Sequence, residues 1–114
     1  MDLNELVTAI RRTSSDPAAL KLAALFSYWK DDGVDAKELE TTVERLIGNT
    51  WIDCKIEHKR IYGLWSQFRD DAIHGIGGMT MNERLYFFSL FSRWDSAHTE
   101  EERKVIYAKL LANP

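Results

Sequence analysis

The sequence predicts an all-α fold: a compact, single-domain bundle of about six helices gathered around one hydrophobic helix near residues 81–95. Three observations predict it. Gly (6) and Pro (2) are scarce in 114 residues, too few for a loop-rich or all-β chain. Apolar residues recur at i, i+3, i+4 and i+7 in segment after segment, the spacing of a single helical face. Asp or Thr followed three residues later by Glu, the signature of a helix N-terminus, heads four of those segments.

The first pair is Asp2 with Glu5, followed by Leu3, Leu6, Val7 and Ile10 on one face. This helix is expected to end near Arg12, where Arg11 and Arg12 suit the negative end of the helix dipole. Asp16 and Pro17 open the second helix as N-cap and first helical residue. Its stripe is Leu22, Leu25, Phe26 and Trp29, its alanines allow close approach, and Asp31, Asp32 and Gly33 stop it. Asp35 with Glu38 starts the third, whose Leu39, Val43, Leu46 and Ile47 run to Gly48 and Asn49.

The fourth helix is expected over 50–73, long or slightly broken, with Cys54, Ile61, Leu64, Trp65, Phe68 and Ala72 on its inner face. Gly63 inside it suggests a kink or a close helix contact. Gly75, Gly77 and Gly78 then reverse the chain, a turn that predicts positive-φ glycines. Thr80 with Glu83 caps the fifth helix, which is apolar almost all round, only Ser89 and Ser92 making a narrow strip of small residues. Such a helix is normally buried on several sides, hence its expected central place. Thr99 with Glu102 opens the last, through Ile106, Leu110 and Leu111.

A chain of this length can bury one real core without staples. Cys54 is the only cysteine, which excludes an intramolecular disulfide and suggests a small buried hydrophobe. No apolar run approaches the roughly 20 residues of a membrane span, and no signal-like apolar region follows the first charges, so a cytoplasmic location is expected. A formal net charge of −3 offers no general attraction to nucleic acid or to an anionic membrane. The charge is segregated, however. Residues 30–53 hold seven acidic and three basic side chains, and residues 54–69 hold four basic and one acidic.

Four chemical readings follow from these residues. Cys54 and His58, one turn apart, offer two metal ligands or a nucleophile and base, and His74 with Asp70 and Asp71 offers a second pair. About 16 residues of helix, roughly 24 Å, part the two groups, so one centre cannot use both unless the helix breaks. No metal or cofactor is therefore expected, Asp70 being expected to pair with Arg69 or His74. The glycines at 75–78 lack the preceding strand and following lysine of a phosphate-binding loop. The second and third helices can be drawn as a helix-turn-helix, but Glu38, Glu40 and Glu44 on the would-be recognition helix would repel phosphate.

The fourth reading is a protein-binding face. Asp31, Asp32, Asp35, Glu38, Glu40 and Glu44 would suit a partner with a basic surface, or would offset the basic side of the fourth helix within the fold. Thirteen aromatic residues are more than one helix can hide, and Tyr28, Trp51, Tyr62 and Tyr107 fall at the edges of the apolar stripes. Homodimerisation through the outer face of the fourth helix is compatible with the pattern.

The segment GGMTMNERLYFFSLFSRWDSA, residues 77–97, resembles a stretch of short uncharacterised bacterial helical proteins in which Met-Thr-x-Asn-Glu-Arg-Leu precedes an aromatic-rich helix with an acidic end. The resemblance implies a bacterial origin. Together the observations point to a non-catalytic protein-interaction module, of the inhibitor or immunity type, with an acidic face. The alternative is a helical bundle that binds a small ligand or metal, or a weak enzyme using Cys54 and His58.

Overall fold

The computed structural model describes residues 1–49 and 52–113, and every regular element among them is helical. Seven α-helices follow one another: α1 (Leu3–Thr13), α2 (Pro17–Trp29), α3 (Ala36–Asn49), α4 (Lys55–Phe68), α5 (Met81–Phe87), α6 (Phe91–Ser96) and α7 (Glu100–Lys109). A π-helical turn, Arg69–His74, prolongs α4, and a 3-10 turn, Ile76–Gly78, leads into α5. None of the described helices is long and apolar enough to cross a membrane.

The caps explain where the helices start. Asp2 and Glu5 satisfy each other's backbone N–H groups at 2.8 and 3.0 Å, and Thr80 and Glu83 do the same at 3.1 and 3.0 Å. Donation from the Thr80 N–H holds the Glu83 carboxyl below its ordinary pKa. At α2, Asp16 Oδ1 accepts from the Ala18 N–H at 2.9 Å while Pro17 occupies the first turn. Thr99 Oγ1 accepts from the Glu102 N–H, but the Glu102 carboxylate reaches one residue further back, to the His98 N–H.

Packing follows the predicted stripes except at Cys54, which is exposed, and at Leu111, which lies beyond the end of α7 and is 41 % exposed. α1 lies against α2 and α4, α2 against α3, and the π turn against α3. Leu3, Leu6 and Ile10 are fully buried, and Ala19 and Ala23 let α2 come close. Through the middle runs a chain of ring contacts, Phe26 to Trp65 at 5.5 Å, Trp65 to Phe68 at 6.2 Å, Phe68 to Phe88 at 5.6 Å and Phe88 to Trp29 at 5.3 Å. Each such pair adds about 0.5–1.5 kcal/mol beyond its buried area. The chain joins α2, α4 and the end of α5 into one core.

The hydrophobic helix expected over 81–95 is two helices, which is why there are seven rather than six. Ser89 adopts φ 55, and the Leu90 N–H bonds to Leu85 O at 2.9 Å while the Ser89 N–H bonds to Tyr86 O at 3.1 Å. That pair of bonds is a Schellman ending, with buried Leu85 and Leu90 as its apolar contact. The break buries Leu85, Phe88 and Leu90 together and leaves Tyr86 49 % and Phe91 43 % exposed, so the segment is half surface rather than wholly enclosed.

Three smaller expectations change as well. α4 begins at Lys55 with Cys54 at its N-cap, and Cys54 is exposed rather than buried because it precedes the inner stripe instead of joining it. Thr50 and Trp51, the expected start of that helix and one of its edge aromatics, lie outside the described residues. Gly63 admits no close neighbour: a Cβ there would meet open space. The chain reversal after the π turn uses no positive-φ glycine. Gly75 is needed instead for room, since a Cβ would lie 3.2 Å from Asp71 O.

Candidate functional site

The acidic residues singled out by composition sit on the turn after α2 and along α3, and they divide by what they touch. Asp32 Oδ1 accepts from the Val34 N–H at 2.9 Å and from Lys109 Nζ at 3.0 Å. Asp35 Oδ1 accepts from the Glu38 N–H at 2.8 Å, which ties the first turn of α3. Glu40 Oε2 lies 2.8 Å from His74 Nε2, and Glu44 Oε1 accepts from Trp65 Nε1 at 2.9 Å and from Arg69 Nη1 at 2.5 Å. Asp31, with 90 % of its side chain exposed, and Glu38 stay toward solvent.

Glu40 and Glu44 thus offset basic groups inside the fold. They are four apart and share a face of α3. Their partners Arg69 and His74 are five apart, and on an α-helix such positions diverge by about 140°. The π turn closes i to i+5 and brings both toward α3. Asp70 completes the ladder, with Arg69 Nε at 3.1 Å and His74 Nδ1 at 3.2 Å. The expected pairing of Asp70 is therefore found with both neighbours. Hydrogen bonds donated to Glu44 first, and to Tyr62, hold the proton of Arg69 more firmly than usual.

The catalytic and metal candidates do not converge. His74 meets a carboxylate oxygen at each ring nitrogen, Glu40 Oε2 at Nε2 (2.8 Å) and Asp70 Oδ1 at Nδ1 (3.2 Å), so both nitrogens are engaged within the ladder. His58, partly buried on α4, lines an apolar pocket of about 20 Å³ with Leu22, Leu46, Ile52 and Ile61, whereas Cys54 is at the surface. That volume holds about one water. Among the described residues, no three His, Cys, Asp or Glu side chains are grouped as metal coordination requires.

Of the edge aromatics, Tyr28 is 75 % exposed and Tyr62 is also exposed, while Tyr107 is half-buried edge-on to Trp94 at 5.4 Å. Sequence reasoning passed over three cations. Lys109 is 2 % exposed, donates to Asp32 O, Asp32 Oδ1 and Val34 O, and stands 4.0 Å from the centre of the Trp29 ring. Arg84 Nη1 donates to Leu110 O and Leu111 O at the end of α7. Arg93 Nη1 donates to Lys30 O and lies 3.7 Å from Asp31. Lys109 and Arg84 each occupy a position in an apolar stripe, the one signal that could have marked them.

No family model, no curated protein and no solved structure matches the chain.

Proposed function

We propose that this protein is a non-catalytic module of the bacterial cytoplasm that binds another protein through the corner between α2 and α3. The observation that supports the reading is Tyr28, 75 % exposed in the last turn of α2 and three residues before the outward Asp31. An exposed aromatic with a charged rim suits a contact patch, and outward carboxylates favour a partner with a basic surface. An inhibitor or immunity-type protein that covers a basic surface fits this chemistry.

The pairing within α3 selects the variants that test it. Glu40 and Glu44 serve the fold, so reversing them would set lysines against Arg69 and His74. Asp31→Lys with Glu38→Lys, and separately Tyr28→Ala, change the outward patch and spare the Glu40 and Glu44 pairs, and Tyr28→Ala also spares the 3.7 Å contact of Asp31 with Arg93. Affinity capture of the tagged protein from its native host, with bound proteins quantified by mass spectrometry, should yield one stoichiometric partner that both variants lose at unchanged helical circular dichroism. Equal retention by the wild type and both variants would overturn the proposal, as would the absence of any partner.

A further inference from the structure

A second patch is polar, concave and rich in donors, and it lies where the N-terminus of α1, the C-terminal end of α2 and the break before α6 meet. It encloses about 460 Å³, within the size range of small-ligand sites, and is lined by Asn4, Ser27, Lys30, Ser89, Ser92 and Arg93, among others. Lys30 and Arg93 are both half-buried and come from elements more than 60 residues apart in the chain. Lys30 Nζ spends one of its three N–H groups on Asn4 Oδ1 at 3.0 Å, and Arg93 spends Nη1 on Lys30 O. Ser89 Oγ accepts from the Asn4 N–H at 3.1 Å, which leaves its own O–H to give.

We propose that this cleft binds a small organic phosphate. Lys30, Arg93 and the hydroxyls of Ser89 and Ser92 suit a tetrahedral group with several oxygens, the Ser27 O–H being given to Ala23 O, and the guanidinium fork suits phosphate in particular. Among the described residues Asp31 is the one carboxylate on the wall, 3.7 Å from Arg93 and otherwise in solvent, so it competes with the ligand for Arg93. The proposal is independent of the protein-binding reading, although Asp31 belongs to both. Neutralising it weakens a basic partner and strengthens an anion.

Titration of the ¹⁵N-labelled protein with inorganic phosphate, then with ribose 5-phosphate, against chloride at equal ionic strength tests this by amide chemical shifts. Saturable shifts are expected at Asn4, Lys30, Ser89 and Arg93 with phosphate and not with chloride. Asp31→Asn should tighten binding, while Lys30→Gln and Arg93→Gln should each weaken it about tenfold or more, the loss of a charge-assisted hydrogen bond. Should Arg93→Gln disturb the Lys30 backbone, Lys30→Gln carries the comparison. Ribose 5-phosphate binding more tightly than phosphate supports an organic ester, whereas binding no tighter overturns that part. Shifts that never saturate, or that persist unchanged in Lys30→Gln, overturn the site.

Discussion

Two of the charged junctions that hold helices together in this protein are built differently. The ladder between α3 and the π turn uses four ionisable pairs, all at least partly open to water, with His74 half exposed. The clamp on α7 uses one lysine, almost wholly enclosed, with two carbonyls, one carboxylate and a tryptophan ring around it. Exposed pairs gain little, because water and salt screen them and two long side chains must be held still. An enclosed ammonium has no water to fall back on, so each of its partners matters. The comparison teaches that burial, and not the number of charges, sets what a junction is worth.

Breaking the clamp should therefore have the largest effect. Lys109→Ala removes three hydrogen bonds and the cation above Trp29, and leaves Asp32 O and Val34 O without their donor. The expected loss is about 3 kcal/mol, short of a fully buried pair because Asp32 itself is partly solvated. Urea denaturation followed by Trp fluorescence measures it, and a loss under about 1 kcal/mol would put the clamp level with an exposed pair. pH gives an independent check. Burial first, against the opposing hydrogen bond that Lys109 donates to Asp32, lowers the Lys109 pKa. The unfolded chain then holds that proton more tightly than the folded one, so this lysine makes stability rise with pH between its folded pKa and the unfolded value of 10.5. Lys109→Met should flatten that rise.

Within the ladder the same rule separates its two ends. Glu44 accepts from Trp65, whose ring is fully buried, so Glu44→Ala strands an indole N–H and should cost about 1–2 kcal/mol. Glu40 serves only the half-exposed His74 and the open Lys37, and Glu40→Ala should cost about 0.5 kcal/mol or less. Equal losses at the two positions would show that the ladder acts as one network and would break the distinction drawn from burial. The comparison is made in the same urea experiment at low and high salt, where the Glu40 contribution should fade and the part of the Glu44 contribution that comes from the Trp65 N–H should persist.

The two junctions were also unequally visible in the sequence. Charge segregation between residues 30–53 and 54–69 announced the ladder, because exposed pairs repeat along a helix face and leave a compositional trace. The clamp left none. Lys109 and Arg84 are single cations inside apolar stripes, and, Asp32 Oδ1 apart, their acceptors are backbone carbonyls, which carry no sequence signal. Helix starts were legible because side chains make the caps: Asp2, Asp16, Asp35, Thr80 and Thr99 all accept as expected. The break at Ser89 was not, since a Schellman ending is signalled by glycine and here a serine takes that place.

That break can be tested by one atom group. In a continuous helix Ser89→Ala would stabilise by about 0.5 kcal/mol, because alanine is the better helix former. At φ 55 the same change keeps the strain of a Cβ in the left-handed region and loses the hydroxyl that accepts from the Asn4 N–H. Ser89→Ala should then lower stability by about 0.5–1 kcal/mol. Ser89→Gly relieves the strain and should be the more stable of the two by about 1 kcal/mol. An alanine variant more stable than wild type would restore one helix over 81–95.

The smallest change asks whether the π turn is imposed by its contacts or by weakness in the helix before it. Gly63 lies six residues ahead of Arg69, is exposed, and has open space where a Cβ would stand. If α4 and the turn are set by the ladder and by the burial of Phe68, Ala72 and Ile73, then Gly63→Ala only removes unfolded-state freedom and should stabilise by about 0.5–1 kcal/mol. Trp65 emission should stay unchanged, since its indole N–H keeps Glu44. If the glycine instead softens α4 so that the π turn can form, the alanine will stiffen the helix, shift Arg69 and His74 off α3, and alter Trp65 emission while gaining nothing in stability. A gain at constant emission places the origin of the turn in its partners on α3.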